Sequence, residues 1–145
     1  MGTLARPPQT RAPVRRADEH VGSWRRRVLS GLLLATGSTA LVCGGVMALD
    51  PDGTPLGLTA EFLQGSPFDD WWLPGLALGG FVGVGHLVAG TSVLQRRRHS
   101  RELSLLAGAG LVAFEAVEWA WMGFHPLQPV FMVVGATVVG LAARR

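Results

Sequence analysis

Four long stretches of this chain carry almost no charge, and their length limits what the chain can fold into. The first, Val28–Leu49, has no charged residue over about 22 positions, which as a helix would span about 33 Å. The others are Trp71–Gln95, Leu103–Gly123 and Leu127–Ala143, and the last, at about 25 Å, is the shortest. Because the hydrocarbon core of a bilayer is about 30 Å thick, such runs are typical of membrane-spanning helices. The sequence therefore predicts an all-α membrane protein with four transmembrane helices.

The composition agrees with this class of protein. Apolar residues make up 48% of the 145 positions, and 20 positions are glycine. The net charge is +3, but the arginines stand at the ends of the apolar runs rather than on one face of a folded domain. We therefore expect the lipid bilayer as the main partner and no nucleic acid. The single cysteine, Cys43, excludes an internal disulfide.

The loops between the apolar runs differ in charge, and this difference predicts the orientation. Arginines cluster before the first run, in the loop 96–102 and after the fourth run. The connections 50–70 and 124–126 contain no basic residue. Since arginine-rich loops stay in the cytoplasm, we expect a multi-pass protein of the bacterial plasma membrane with both termini cytoplasmic, that is, N-in/C-in. Loops 50–70 and 124–126 are then external, and loop 96–102 is cytoplasmic.

Residues 1–27 mix proline with charge and show no apolar periodicity, which is typical of a disordered arm. We therefore expect an Arg-rich cytoplasmic arm over 1–27 and a four-helix membrane domain over 28–145. The expected spans are 28–49, 71–95, 103–123 and 127–143. A cleavable signal peptide is the alternative for the first run, although its apolar stretch exceeds the usual length of about 7–15 residues. The five tryptophans stand near the predicted span ends, as interfacial aromatic residues do.

Small residues recur at intervals of four on two of the runs. The second run has Gly75, Gly79 and Gly83, and the first has Ala40 and Gly44. Small residues at this spacing form a groove into which another helix can pack closely. We expect these positions to be helix-packing residues. The sequence leaves open whether the partner helix belongs to this chain, to another copy in a homo-oligomer, or to another membrane protein.

Three ionisable residues lie within the predicted spans: His86 on the second, and Glu115 and Glu118 on the third. Helical spacing places each of them on a face with small residues, so all three should point toward protein. An ionisable group at this depth costs about 2.5–3.5 kcal/mol and usually faces a partner or a cavity. Counted along the helices, His86 and Glu115 differ in depth by about 4–5 Å, so one hypothesis is a hydrogen bond between them. Glu118 lies closer to the external surface, where we expect it to reach water.

Motifs for catalysis or for a cofactor do not appear in the sequence. Carboxylate metal sites in helix bundles use Glu-x-x-His pairs, whereas this chain has Glu-x-x-Glu once. The segment DPDG at 50–53 begins like a calcium loop but lacks the later ligands. The sequence has no Ser-His-Asp set, Walker loop or zinc signature. We therefore expect no catalytic residue, no cofactor and no metal.

Three segments, in order, resemble those of a family of small, uncharacterised bacterial integral membrane proteins, many of them actinobacterial. They are DPDGTPLGL, GSPFDDWWLPGLALGGFVGVG and FEAVEWAWMGFHPLQPVF. The resemblance covers roughly residues 45–140 and implies a four-span architecture without any known activity. The chain is also similar in size to small multidrug resistance transporters, which use a membrane-embedded glutamate. Those proteins carry it on the first span, whereas the acids here are on the third.

Three classes of function follow from these observations. The first is a non-enzymatic membrane interaction or accessory protein, which the sequence favours because the loops leave little soluble surface for chemistry. The second is a proton-linked small-solute transport element that uses Glu115, Glu118 and His86. The third is an enzyme, for which the sequence shows no catalytic constellation.

Overall fold

The chain folds into a helical bundle, and the computed structural model describes residues 12–144 of it, except the side chains of residues 12–21 and 60. Helix accounts for 80% of the chain and the described residues contain no strand, which confirms the all-α prediction. The long helices are α1 (Ala12–Leu49), α2 (Trp72–Leu94), α3 (Ser100–Met122) and α4 (Leu127–Ala143).

Three of these helices are long and apolar enough to cross a membrane: the part Gly22–Leu49 of α1, and the whole of α2 and α3. Helix α4 is apolar but shorter, with 17 residues. The C-terminal ends of the helices fall close to the ends of the apolar runs, and two of them have a recognisable stop. Asp50 follows α1, and Gly123, with a φ of 72°, follows α3.

Helix α1 begins well before its apolar run, which corrects the expectation of a disordered arm over residues 1–27. Residues 12–27 are helical and continue directly into the apolar run. A helix that the apolar run has already nucleated extends at low cost, and alanine, arginine and glutamate are good helix formers. Pro13 stands in the first turn, where its missing N–H has no intrahelical partner to lose. Residues 1–11 of the predicted arm lie outside the described residues.

The four helices pack in a ring in chain order, so that α4 returns to contact α1. Buried apolar side chains fill the ring at two levels. The cluster near the arginine-bearing end consists of Leu29, Leu33, Ala89, Val93, Val138 and Ala142. The cluster nearer the middle consists of Ala40, Val82 and Leu111. The first cluster contains side chains from α1, α2 and α4, and therefore holds those three helices together at the arginine-bearing end.

Helices α1 and α2 approach each other closely at their glycines. A Cβ atom built on Gly44 would lie 2.7 Å from the Cα atom of Gly79, and one built on Gly75 would lie 2.8 Å from the carbonyl oxygen of Gly44. A Cβ atom on Gly83 would lie 2.9 Å from the backbone nitrogen of Leu41. These contacts are with backbone, which cannot rotate away as a side chain can. The glycine groove of α2 is therefore occupied by α1 of the same chain.

Helices α3 and α4 form a second close pair. A Cβ atom on Gly108 would lie 2.8 Å from the carbonyl oxygen of Gly135, and one on Gly135 would lie 2.8 Å from that of Gly108. This mutual contact fixes the rotation of α3 about its own axis. The buried positions of α3 recur at helical spacing and are Ser104, Gly108, Leu111 and Glu115. Glu115 therefore faces the interior of the bundle because Gly108, on the same face, packs against α4.

Helix α2 changes its winding along its length. Trp72–Leu76 and Gly85–Leu94 are α-helical, whereas Ala77–Val84 is a π-helix. In a π-helix the backbone bonds join residues five apart, and such segments are frequent at functional sites. Glycines at 79, 80 and 83 lower the steric cost of the unusual winding. The π segment contains Gly79, and it therefore lies at the closest contact with α1.

The loop between α1 and α2 folds back over one end of the bundle. It contains two short 3₁₀ helices, Thr54–Leu56 and Ala60–Leu63. The Trp71 N–H donates to the carbonyl oxygen of Pro51 at 2.9 Å, and Asp70 caps α2 by accepting the Trp72 N–H at 2.9 Å. The bond between Trp71 and Pro51 ties the end of the loop to its beginning.

One of the five tryptophans that were expected at the membrane interface is buried inside the protein. The side chains of Trp24, Trp72, Trp119 and Trp121 are exposed, whereas Trp71 is 3% exposed. Gly53, whose φ is 75°, lets the backbone pass within contact of the Trp71 ring. The folded-back loop therefore buries a side chain that its place at a span end assigned to the interface.

We expect Gly44→Ala to destabilise the bundle by about 1–3 kcal/mol, because the added methyl group meets the backbone of Gly79. Gly45→Ala is the matched control: nothing lies within 4 Å of a Cβ atom at Gly45, and the gain in helix propensity is the same. Denaturant titration in mixed micelles measures the free energy of unfolding of both variants. Equal free energies of unfolding for the two variants would show that α1 and α2 are not in close contact at Gly44.

Candidate functional site

A cavity of about 380 Å³ lies between the four helices, at the end covered by the loop that joins α1 and α2. Every long helix contributes to its wall, and the loop contributes Leu58, Phe62 and Trp71. Most of the other lining side chains are apolar, among them Phe114 and Phe131. A concave and mostly apolar chamber with a few polar groups is the usual form of a small-molecule site.

Two of the three acids of α3, Glu115 and Glu118, line this cavity, whereas Glu102 in the first turn does not. Glu115 and Glu118 are three residues apart and therefore occupy neighbouring positions on one helix face. Glu115 is 5% exposed, and Glu118 is half-buried. Neither carboxyl group forms a hydrogen bond or an ion pair with another described residue. The cavity thus contains two carboxyl groups that are available to a ligand or to water.

His86 does not join these acids. The ring is 1% exposed, but it does not line the cavity, and its Nδ1 lies 2.8 Å from the carbonyl oxygen of Val82 on the same helix. Since a carbonyl oxygen only accepts, Nδ1 is the donor, and in a neutral ring Nε2 is then an acceptor. Nε2 has no hydrogen-bond partner among the described residues. The hypothesised bond between His86 and Glu115 is therefore not formed: Nδ1 bonds to a carbonyl one turn away, and Nε2 does not reach the Glu115 carboxyl group.

The turn between α3 and α4 supplies further polar groups. Gln128 is buried and lines the cavity, and its Oε1 accepts the backbone N–H of His125 at 2.9 Å. This bond leaves the amide NH₂ of Gln128 as a donor. His125 also lines the cavity, and its Nδ1 accepts the Leu127 N–H at 3.4 Å. The cavity therefore combines acceptors on α3 with a donor on α4.

Sequence reasoning did not identify several lining residues as parts of a site. Gln128 stands between Leu127 and Pro129 in an apolar run, and a lone amide in such a run is a signal that could have found it. Cys43 lines the wall that α1 contributes, and no motif in the sequence marks it as part of a site. Trp71 lines the cavity too, and its indole N–H has no acceptor among the described residues. Nothing in the sequence places Trp71 inside the bundle.

The chemistry of this arrangement is that of binding. Among the described residues, no three His, Cys, Asp or Glu side chains lie close enough together to hold a metal ion. Carboxyl groups accept hydrogen bonds and attract cations, and the amide of Gln128 donates. The cavity can therefore hold a small molecule that has a cationic or hydrogen-bond-donating end and an apolar body.

The single cysteine gives a direct test of the cavity's electrostatics. We expect a cationic methanethiosulfonate to modify Cys43 at least about tenfold faster than an anionic one of similar size, because carboxyl groups line the cavity and attract the cation. Replacing both Glu115 and Glu118 by Gln should make the cationic and the anionic reagent modify Cys43 at similar rates. Glu61→Gln is the control, since Glu61 is exposed and does not line the cavity. A preference that survives loss of both acids would contradict this account.

Comparison of the chain with protein-family models, with curated proteins and with solved structures found no match. The resemblance to small bacterial membrane proteins that three sequence segments carry therefore stays a prediction. The function of this chain has to be inferred from the cavity and from the distribution of charge along the helices.

Proposed function

We propose that this chain is an integral protein of the bacterial plasma membrane that crosses the bilayer four times, with both termini in the cytoplasm. Helix α4 is the fourth span in this proposal. Its 17 residues extend over about 25 Å, which suffices for a helix that stands nearly upright or thins the bilayer locally. The tight turn before it makes α3 and α4 an antiparallel pair.

The charges at the helix ends support this orientation. The arginines whose side chains the structure describes all lie on one side of the bundle, next to the ends of the apolar runs: Arg25, Arg26, Arg27, Arg96, Arg97, Arg98, Arg101 and Arg144. The loop 50–71 on the other side has acids and no basic residue. An arginine-rich side is the cytoplasmic side in most membrane proteins, which supports internal termini and an external cavity end.

Within this topology we assign the chain a non-enzymatic role in the binding and proton-linked transport of a small solute. The observation that carries this proposal is that Glu115 and Glu118 line one mostly apolar cavity without a hydrogen-bond partner among the described residues. Acids inside a membrane domain are costly, and those that are kept usually serve a solute or proton path. His86, which does not line the cavity, has no part in this site.

The chemistry of the cavity suggests the class of solute. A volume of about 380 Å³ is at the small end of the range for ligand pockets, so the solute is a compact molecule. The carboxyl groups favour a cation or an amine, and the aromatic and aliphatic walls favour an apolar remainder. A carboxyl group that can hold either the solute's cationic group or a proton links the movements of the two.

An accessory role is the second candidate, and one observation favours it. Helix α1 continues beyond its apolar run, from residue 27 back to residue 12, and so offers a helical surface outside the bilayer for a partner. The glycine groove of α2 does not add to this case, because α1 of the same chain occupies it. The transport role requires the carboxyl group of Glu115, whereas the accessory role does not.

The orientation is tested by single cysteines in a Cys43→Ser background. We expect Thr59→Cys to react with a membrane-impermeant maleimide added to intact cells, since Thr59 is exposed and loop 50–71 is external in this proposal. Ser100→Cys, beside the arginine-rich loop, should react only after the membrane is opened. The reverse pattern would place the termini outside.

The transport role is tested in proteoliposomes that contain a pH-sensitive dye and are more acidic inside. External tetraethylammonium should speed the loss of internal protons through the wild-type protein, because the cation and the proton compete for the same carboxyl groups. In the Glu115→Gln variant, the rate of proton loss with external tetraethylammonium should fall to that of protein-free liposomes. Glu61→Gln, which removes an acid outside the cavity, should behave as wild type.

Failure of tetramethylammonium, tetraethylammonium and ethylammonium alike to change the proton flux through the wild-type protein would exclude the transport role as proposed. The accessory role would then be the remaining candidate. In that case Glu115→Gln should leave both the yield of folded protein and any co-purifying partner unchanged.

A further inference from the structure

A second recess, of about 430 Å³, lies at the arginine-bearing end of the bundle, away from the two acids. Five arginines line it: Arg25 and Arg26 of α1, Arg96 in the loop after α2, Arg101 of α3, and Arg144, which follows α4. Among the described residues, no acid lines it. Like charges that surround one recess repel each other and create a field that favours an anion. The positive-inside distribution explains arginines at this end, but not their convergence on one recess.

Two of these arginines are held in place by the end of α4. Arg25 Nη1 donates to the carbonyl oxygen of Arg144 at 2.8 Å, and Arg101 Nε donates to that of Ala142 at 3.2 Å. Carbonyl groups in the last turn of a helix lack intrahelical partners, so these bonds satisfy them. A guanidinium group has five N–H donors, and each of these two uses one. Their remaining donors are therefore positioned in advance for another acceptor.

Arg96 occupies a position that glycine would fill more easily. It follows the last turn of α2 with a φ of 53°, and it is the only described residue other than glycine with a positive φ. The bonds from Arg96 N to Val93 O at 3.3 Å and from Arg97 N to Ser92 O at 3.0 Å form the Schellman motif that ends α2. Glycine is usual at this position because a Cβ atom is strained there. Arginine at position 96 therefore does not stabilise the end of α2, but it does provide a guanidinium group to an anion site.

The floor of the recess is apolar. Leu29, Val93, Leu141 and Ala142 line it, and the hydroxyl-bearing Ser100 stands at the start of α3. Basic groups above an apolar floor match a molecule with a phosphate group and hydrocarbon chains. A free phosphate ion would match the arginines but would leave the apolar floor without a partner.

We propose that this recess binds the phosphate of an anionic phospholipid from the leaflet on the arginine side. The guanidinium groups of Arg26 and Arg96, which make no hydrogen bond within the described residues, form charge-assisted bonds to the phosphate oxygens. The arginines tied to α4 add N–H donors from the other side of the recess. A lipid held in this way bridges α1, α2, α3 and α4, and this role is independent of any solute in the opposite cavity.

The test measures lipid retention by the full chain, purified in a zwitterionic detergent. Phosphatidylglycerol or phosphatidylcholine with the same acyl chains is added, and bound lipid is counted by native mass spectrometry. We expect phosphatidylglycerol to be retained in preference to phosphatidylcholine, and the preference to fall about fivefold in Arg96→Gly and again in Arg26→Gln. Arg96→Gly keeps the end of α2, because glycine adopts a positive φ readily, so a loss of lipid does not reflect misfolding.

Arg98→Gly is the matched control, since it removes the same charge from the same loop at a position that does not line the recess. An equal loss of lipid in Arg98→Gly would show that net charge alone attracts the lipid, and would overturn the proposal. Equal retention of the two lipids by the wild type would do the same. In a parallel arm, inorganic phosphate that raises the unfolding midpoint while phosphatidylglycerol is not retained would identify a soluble phosphate as the ligand and exclude the lipid.

Discussion

The backbone contact between α1 and α2 at Gly44, Gly75 and Gly79 is the interaction on which the rest of the bundle depends. Inside a bilayer, helices gain little from the hydrophobic effect by associating, because lipid tails are as apolar as leucine. Close packing has to supply the attraction, and it does so only where two backbones can nearly touch. Gly108 and Gly135 form the same kind of close backbone contact between α3 and α4. The fold is therefore two tightly packed helix pairs, and the cavity lies between the pairs.

The two ends of the bundle are opposite in chemical character. One end has a mostly apolar chamber with two carboxyl groups, and the other has a recess surrounded by guanidinium groups. Between them lies the cluster that contains Leu33 and Val138, which separates the chamber from the arginines. The attraction between opposite charges falls with distance and with screening. The carboxyl groups of the chamber and the guanidinium groups of the recess lie at opposite ends of the bundle, so they do not neutralise each other. Each site is thus left free to select its own ligand by charge.

Length and charge in the sequence were sufficient to predict the helices, because bilayer thickness sets how long an uncharged run must be. The interval between Gly108, Leu111 and Glu115 was sufficient to predict which face of α3 turns inward. The hydrogen bond of His86 was not predictable, since a small difference in depth between two helices does not determine which nearby acceptor a ring bonds to. The burial of Trp71 depends on the loop folding back through Gly53, a tertiary effect that no local pattern encodes. The helical start of α1 was not predictable from residues 12–27 alone, because their proline and charge are typical of a disordered segment. The helix that follows extends through them.

The mixed winding of α2 has a consequence for how its glycines meet α1. A stripe of residues four apart drifts around an α-helix, which completes a turn in 3.6 residues, and it drifts the opposite way around a π-helix, whose turn takes more than four. Gly75 lies in the α-helical part and Gly79 and Gly83 lie in the π-helical part, so the two drifts offset each other. The glycines therefore form a nearly straight track along α1. Wound as an α-helix throughout, the same glycines would lie on a row inclined to the helix axis, as the i, i+4 rows of α-helices do.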